Sequence, residues 1–251
     1  MSLDIPLLHE KALAAAAAAA AVLRAGADRT VNLLSDRDVK LQADVDAERQ
    51  IRGILAPTGL PVVGEELGGD PALYDSGDAP YWVLDPLDGT YNYLRDQPAV
   101  CVSLALMRGR EPLCGVVHDF QSGRVYAGRV GGGVSINGVD VTPRWAAETS
   151  QACLMTGFPA AADMSPAALA AFVRRAGRFK KIRMIGSAAL AVAYVGTGRA
   201  DVYLEDGTNL WDVAAGLAIV KAAGGVYALA PAGRPLRFNL VAAGKREWLD
   251  A

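Results

Sequence analysis

The feature that most constrains this chain is the run from Trp82 to Leu94, WVLDPLDGTYNYL, in which an apolar strand ends abruptly in acids. A strand that is apolar on both faces belongs inside a layered sheet, and its end delivers polar groups to one edge. Pro86 sets the chain direction after Asp85 by its locked φ, and Asp88 follows on the same turn. Two carboxylates held this close repel unless they are protonated or bridged by cations. No cluster of lysines accompanies them, so a divalent metal is the economical solution. Gly89 and Thr90 then offer backbone N–H groups where a helix opens at Tyr91, Asn92 and Tyr93, which suits phosphate oxygens. An ordinary Asp-Gly turn with Asp88 as a local cap explains less, because it has no use for a second acid at Asp85.

Two other segments supply acids. In VVGEELGG, Glu65 and Glu66 stand directly after a short apolar run, although such a pair is usually solvated surface. In NLWDVAAGLAIVKAAGG, Asp212 lies in the first turn of an alanine-rich helix that closes at Gly224 and Gly225, where plain capping would also account for it. The triplet Asp88-Gly89-Thr90 is shared with the nucleophile loop of haloacid dehalogenase-type phosphatases. That loop needs an aspartate where this chain has Pro86, so a covalent aspartyl-phosphate route is disfavoured and attack by a metal-activated water preferred.

Along the chain, the alanine run from Ala12 to Ala21 reads as a helix with Leu8, Leu13 and Leu23 toward a core. The run falls short of the roughly 18 apolar residues of a membrane span. DVDAERQIRGIL predicts a second helix, with Asp44 at its start and Pro57 and Gly59 at its end. From Val100 to about Thr142, short strands separated by glycine-bearing turns predict an antiparallel meander, with a hairpin at Asn137-Gly138 and an ordinary turn at Gly131 to Gly133. After a boundary at Pro143 to Ser150, strands at ACLMTGF, KIRMIG, ADVYLE and GVYAL alternate with helices near Pro166, Ser187 and Trp211. The expected organisation is an α+β lobe over 1–142 and an α/β lobe over 143–251, with the site between them because its acids come from both.

With 251 residues, 52% of them hydrophobic, the chain is ample for such a core. A net charge of -2 leaves no electrostatic footprint for nucleic acid or an anionic membrane, so a small-molecule ligand is expected. Cys101, Cys114 and Cys153 are odd in number and sit in apolar runs, which points to free thiols in the cytoplasm. His9 and His118 have no partner histidine at motif distance and read as structural.

The blocks GEELGG, DPLDGTYNY and WDVAAGLAIVKAAGG, in this order and spacing, resemble the inositol monophosphatase family over nearly the whole chain. The resemblance implies a layered αβαβα sandwich of the fructose-1,6-bisphosphatase/inositol monophosphatase type and a Mg²⁺-dependent phosphomonoesterase, expected as a cytoplasmic homodimer. It implies that Glu65, Asp85 and the Leu87 carbonyl hold one Mg²⁺ and that Asp85, Asp88 and Asp212 hold a second, about 3.5 to 4 Å away, with a third ion possible in each site. Gly89 and Thr90 would cradle the phosphate. Asp44 matches an aspartate that hydrogen-bonds the threonine at Thr90 and, with Glu65, orients the attacking water. Glu205 and the loop Gly186, Ser187, Ala188 and Ala189 match positions that contact the substrate alcohol. Many members carry a threonine three residues before the Asp44 position and a lysine further upstream; here Leu41 stands there and Lys40 is the nearest lysine. The expected substrate is inositol monophosphate or a related polyol phosphate, with nucleotide 3'-phosphate, fructose bisphosphate and histidinol phosphate as runners-up. A regulatory or scaffold dimer is the alternative outside catalysis.

Overall fold

The computed structural model describes residues 3–26, 30–34, 39–159 and 162–250. Helix α1 (Ile5–Arg24) opens under Asp4, whose side chain accepts the Leu7 N–H, and buries Leu8, Ala12, Ala15, Ala16, Ala19, Ala20 and Leu23 along one face. By length and composition it could cross a membrane, yet this stripe of small residues lies against helix and sheet in the core. A short hairpin, β1 (Val31–Leu34) and β2 (Val39–Leu41), leads into α2 (Gln42–Leu55). The side chain of Lys40 lies outside the described residues.

The first sheet has seven strands in the order β3 (Val62–Gly64), β4 (Pro80–Asp88), β5 (Cys101–Arg108), β6 (Glu111–Asp119), β7 (Arg124–Arg129), β8 (Gly133–Ile136) and β9 (Val139–Val141). The expected meander is present: from β4 onward every neighbour is antiparallel, while β3 runs parallel to β4. Between β4 and β5 sits the single-turn α3 (Thr90–Leu94).

The second sheet contains β10 (Cys153–Thr156), β11 (Lys181–Arg183), β12 (Val202–Asn209), β13 (Val226–Pro231) and β14 (Arg237–Ala243), in the order β11-β10-β12-β14-β13. Its parallel half matches the alternation in the sequence; its other half is antiparallel, because β14, which the sequence reading did not single out, inserts between β12 and β13. The connecting helices are α4 (Pro166–Ala176), α5 (Ala188–Gly196) and α6 (Leu210–Ala222).

The layers follow from which faces are apolar. Helices α1 and α2 cover one face of the first sheet, and α5 and α6 fill the space between the sheets. Helix α6 is therefore buried on nearly all sides, as a central-layer helix must be. Helix α4 and Trp248 close the outer face of the second sheet. The result is an αβαβα sandwich. Gly115 shows how tight the middle layer is: a β-carbon there would collide with the backbone of Ala215 in α6.

Candidate active site

The site forms where three chain segments end side by side. Strands β3 and β4 are parallel, with Gly64 level with Leu84, and the Glu65 N–H donates to the Leu84 carbonyl at 3.3 Å. Glu65 and Asp85 therefore leave the same sheet edge next to each other. Helix α6 starts at that edge and contributes Asp212 from its first turn. One carboxylate oxygen from each of Glu65, Asp85 and Asp212 lies within 4.8 Å of the other two. The glutamate pair is thus half resolved by the fold: Glu65 turns inward, while Glu66 is held through its backbone N–H.

The electrostatics are those of an acid cluster. Burial, and then the neighbouring Glu65, Asp88 and Asp212, push the Asp85 carboxyl well above its usual range, although the Leu87 N–H donates to its Oδ1 at 2.9 Å. Asp212 is raised well above its range by burial and by Glu65 and Asp88. Among the described ion pairs none involves Asp85, Asp88 or Asp212. Three acids converging on one point, with Asp85 buried among them, fit a divalent cation.

Asp212 serves two purposes at once. Its Oδ2 accepts the Asn209 backbone N–H at 2.8 Å and the Asn209 amide at 3.2 Å, closing a capping box at the start of α6.

Asp88 sits at the margin. Its Oδ2 accepts the Ser187 hydroxyl at 2.5 Å and the Ala189 N–H at 2.8 Å, so it caps α5 from a distant part of the chain. Burial raises its carboxyl, and the Ser187, Ala189, Ala188 and Cys101 hydrogen bonds oppose that rise. The loop from Gly186 to Ala189 is thereby tied to the Asp88 turn. Asn92, which sequence reasoning passed over, makes a second tie: its Nδ2 donates to Ala99 O at 3.0 Å and to Ile185 O at 2.8 Å.

Gly89 adopts φ 90°, and a β-carbon there would stand 2.6 Å from the Ala99 carbonyl, so this turn needs glycine. Thr90 donates its hydroxyl to the Leu87 carbonyl at 3.0 Å. Asp44, buried at the third position of α2, accepts the Leu41 N–H at 3.0 Å, and the β2 segment that carries Leu41 packs against α3.

The strand expected at ADVYLE is longer than the sequence suggests: β12 continues through Asn209 and pairs Glu205 with Leu240 of β14. The carboxylate is 9% exposed, accepts the Tyr203 hydroxyl at 2.8 Å and occupies the space beside Gly157. Burial raises its pKa to about 7, with Asp88 adding to the rise. It lines a cleft of about 350 Å³ whose walls include Phe158, Phe172, Arg237 and Asn239.

Two further residues that the sequence reading did not single out, Glu48 and Arg52 of α2, grip the turn that follows Glu65. The available signal was an acid at the edge of the apolar stripe of Ala43, Ala47, Ile51 and Leu55. His118 is buried at the end of β6 with its pKa lowered by burial and by Arg24, in keeping with a structural role. Cys101, Cys114 and Cys153 are free thiols.

Comparison with known proteins places this arrangement. The profile of the Inositol monophosphatase family matches residues 7–249. The chain is 32% identical over 219 residues to the fructose-1,6-bisphosphatase/inositol-1-monophosphatase of Aquifex aeolicus, covering 86% of this chain and 80% of that one. It is 32% identical over 207 residues to the inositol-1-monophosphatase ImpA of Mycolicibacterium smegmatis, covering 75% and 69%. Against the Nus factor SuhB of Xylella fastidiosa it is 41% identical over 145 residues, and that match spans only 53% of the Xylella protein. The solved inositol monophosphatase of Anabaena superposes with a TM-score of 0.81 at 28% identity, covering 99% of this chain and 94% of that one. On the profile match, the matching fold and the three blocks of acids, the chain belongs to the inositol monophosphatase family of phosphomonoesterases.

Proposed function

We propose that this chain is a Mg²⁺-dependent phosphatase of a polyol monophosphate such as inositol monophosphate. The observation that carries the reading is the convergence of Glu65, Asp85 and Asp212 within 4.8 Å at one sheet edge. Glu65, Asp85 and the Leu87 carbonyl would hold one ion, and Asp85, Asp88 and Asp212 a second. When bound, such ions neutralise phosphate charge, lower the pKa of water and stabilise the leaving alkoxide.

The chain's own groups do the rest. Gly89 and Thr90 cradle phosphate oxygens at a turn whose shape the Asp88, Asn92 and Gly186 ties make rigid. Asp44, with Glu65 and Thr90, orients the attacking water. Glu205 and the 186–189 loop receive the substrate alcohol, Glu205 by accepting hydrogen bonds from hydroxyls. The division into lobes 1–142 and 143–251, a homodimeric assembly and a cytoplasmic location belong to the same proposal.

The Aquifex relative's name also mentions a bisphosphatase, and the Xylella relative's name a Nus factor. A carboxylate at Glu205 argues against a second phosphate nearby, by like-charge repulsion in a partly desolvated cleft. A panel of inositol monophosphate, nucleotide 3'-phosphate, fructose bisphosphate and histidinol phosphate, assayed for phosphate release with and without Mg²⁺, decides. The polyol phosphate should show the highest kcat/KM, and Glu205→Gln should narrow its lead over the bisphosphates. A wild-type preference for a bisphosphate would refute the substrate assignment, and no release from any of them would favour a regulatory or scaffold role.

A further inference from the structure

Glu65 reaches the acid cluster from a turn rather than from a helix or strand. The segment from Glu65 to Leu67 lies outside the ladder, between Gly64 and Gly68, which form a bridge with Gly64 N donating to Gly68 O at 3.0 Å, while the Glu65 N–H reaches the Leu84 carbonyl. A ligand on such a turn would wander unless something held the turn.

An ion pair on α2, its carboxylate fully buried, grips the turn. Glu48 is fully buried; its Oε2 accepts the Glu66 N–H at 2.8 Å and its Oε1 the Leu67 N–H at 3.2 Å. Arg52, one helical turn on, donates through Nε to Glu48 Oε1 at 2.8 Å and through a second nitrogen to the Gly68 carbonyl at 2.5 Å. A β-carbon on Gly64 would overlap the Glu48 carboxylate, so the strand before Glu65 is shaped around it. Burying a carboxylate is costly, and here the hydrogen bonds that offset the cost go to the backbone on the far side of Glu65. The turn is thus gripped directly after the residue that faces Asp85 and Asp212, and the glycine directly before it makes room for the gripping carboxylate.

We propose that Glu48, clamped by Arg52, is a positioning residue for Glu65 and sets the affinity of the acid cluster for divalent cations. This rests on the metal reading above. Among the described hydrogen bonds and ion pairs none joins Glu48 or Arg52 to Asp85 or Asp212; the two residues act by restricting where Glu65 can stand.

The test uses Mn²⁺ alone as the probe, with binding to the full chain followed by electron paramagnetic resonance in the absence of substrate. Glu48→Gln and Arg52→Gln should each raise the Mn²⁺ dissociation constant about 10- to 100-fold, the range seen when a partner of a metal ligand is removed. Gly64→Ala should act likewise, and in the Glu48→Gln background it should add little, because both disturb the same contact. Arg49→Gln, which removes a largely exposed charge from the same helix without touching the turn, should leave the constant as in wild type. Should Glu48→Gln fail to fold, Arg52→Lys carries the same expectation, since lysine keeps the charge but not the fork. Folded variants that melt earlier without metal yet bind Mn²⁺ within twofold of wild type would overturn the inference, showing a merely structural brace, and would leave the proposed activity standing. A wild-type protein that binds no Mn²⁺ would overturn the metal reading, and the inference with it.

Discussion

Glu205 should destabilise the metal-free protein as pH rises, and replacing it with glutamine should remove that dependence. Its carboxyl ordinarily titrates near 4.5 and in the fold near 7, chiefly because β12 buries it. Between those two values the native state keeps a proton that the unfolded chain has released, so stability falls as pH rises through the window. At about 1.4 kcal/mol per pH unit, the loss above pH 7 comes to about 3 kcal/mol. Glutamine has the same shape and can still accept the Tyr203 hydroxyl, but it has no charge to desolvate. Urea melts in the presence of a chelator, at pH 5, 6, 7 and 8, should show Glu205→Gln gaining on wild type with each step. The gap should reach about 3 kcal/mol, or roughly 6 to 12 °C in Tm for a chain of this size. A gap that stays flat across these pH values would refute the claim that burial governs this carboxylate.

Asp212→Asn should keep much of the α6 capping box, because an amide oxygen can still accept from Asn209, while activity at saturating Mg²⁺ falls at least about 100-fold. Thermal melts in chelator beside a phosphate-release assay separate the two effects, and a fully active Asp212→Asn or Asp212→Ser enzyme would reduce Asp212 to a cap. Gly89→Ala should cost at least about 1–2 kcal/mol for its left-handed backbone alone, with further loss from the clash at Ala99 O, and should raise KM for substrate. A neutral melting temperature would show that the turn has other room.

The parts of this site legible in sequence are those whose chemistry is local. WVLDPLDGT announces a buried strand with acids at its end because apolar run, proline and glycine stand within a few residues, and β4 carries both, running on past Asp85 to Asp88 with an irregularity between them. The second half of β12 was not legible. The expected strand ADVYLE stops at Glu205, and Asp206 to Asn209 become strand through pairing with β14, some 30 residues later. Capping and site roles for Asp212 stood as alternatives in the sequence because a capping acid and a site acid have the same signature, and the cap that Asp88 supplies to α5 was not legible because it joins residues about 100 apart. Glu48 was missed because a charge on an amphipathic helix is usually solvated; what retains this one in the core is a set of N–H groups on a different segment.

The central claim is that the buried acids exist to hold divalent metal for phosphate-ester hydrolysis, and Asp85 is the residue on which it turns. The decisive measurement is phosphate release from inositol monophosphate across a Mg²⁺ titration, for wild type and Asp85→Asn, with the folded state of each checked by circular dichroism. The account predicts that wild type is active only with Mg²⁺ and silent in chelator. It also predicts that the folded Asp85→Asn protein stays at least about 1,000-fold slower at any Mg²⁺ concentration, since an amide cannot supply the charge. Release that persists in chelator, or a near-wild-type rate for Asp85→Asn at saturating Mg²⁺, would contradict it.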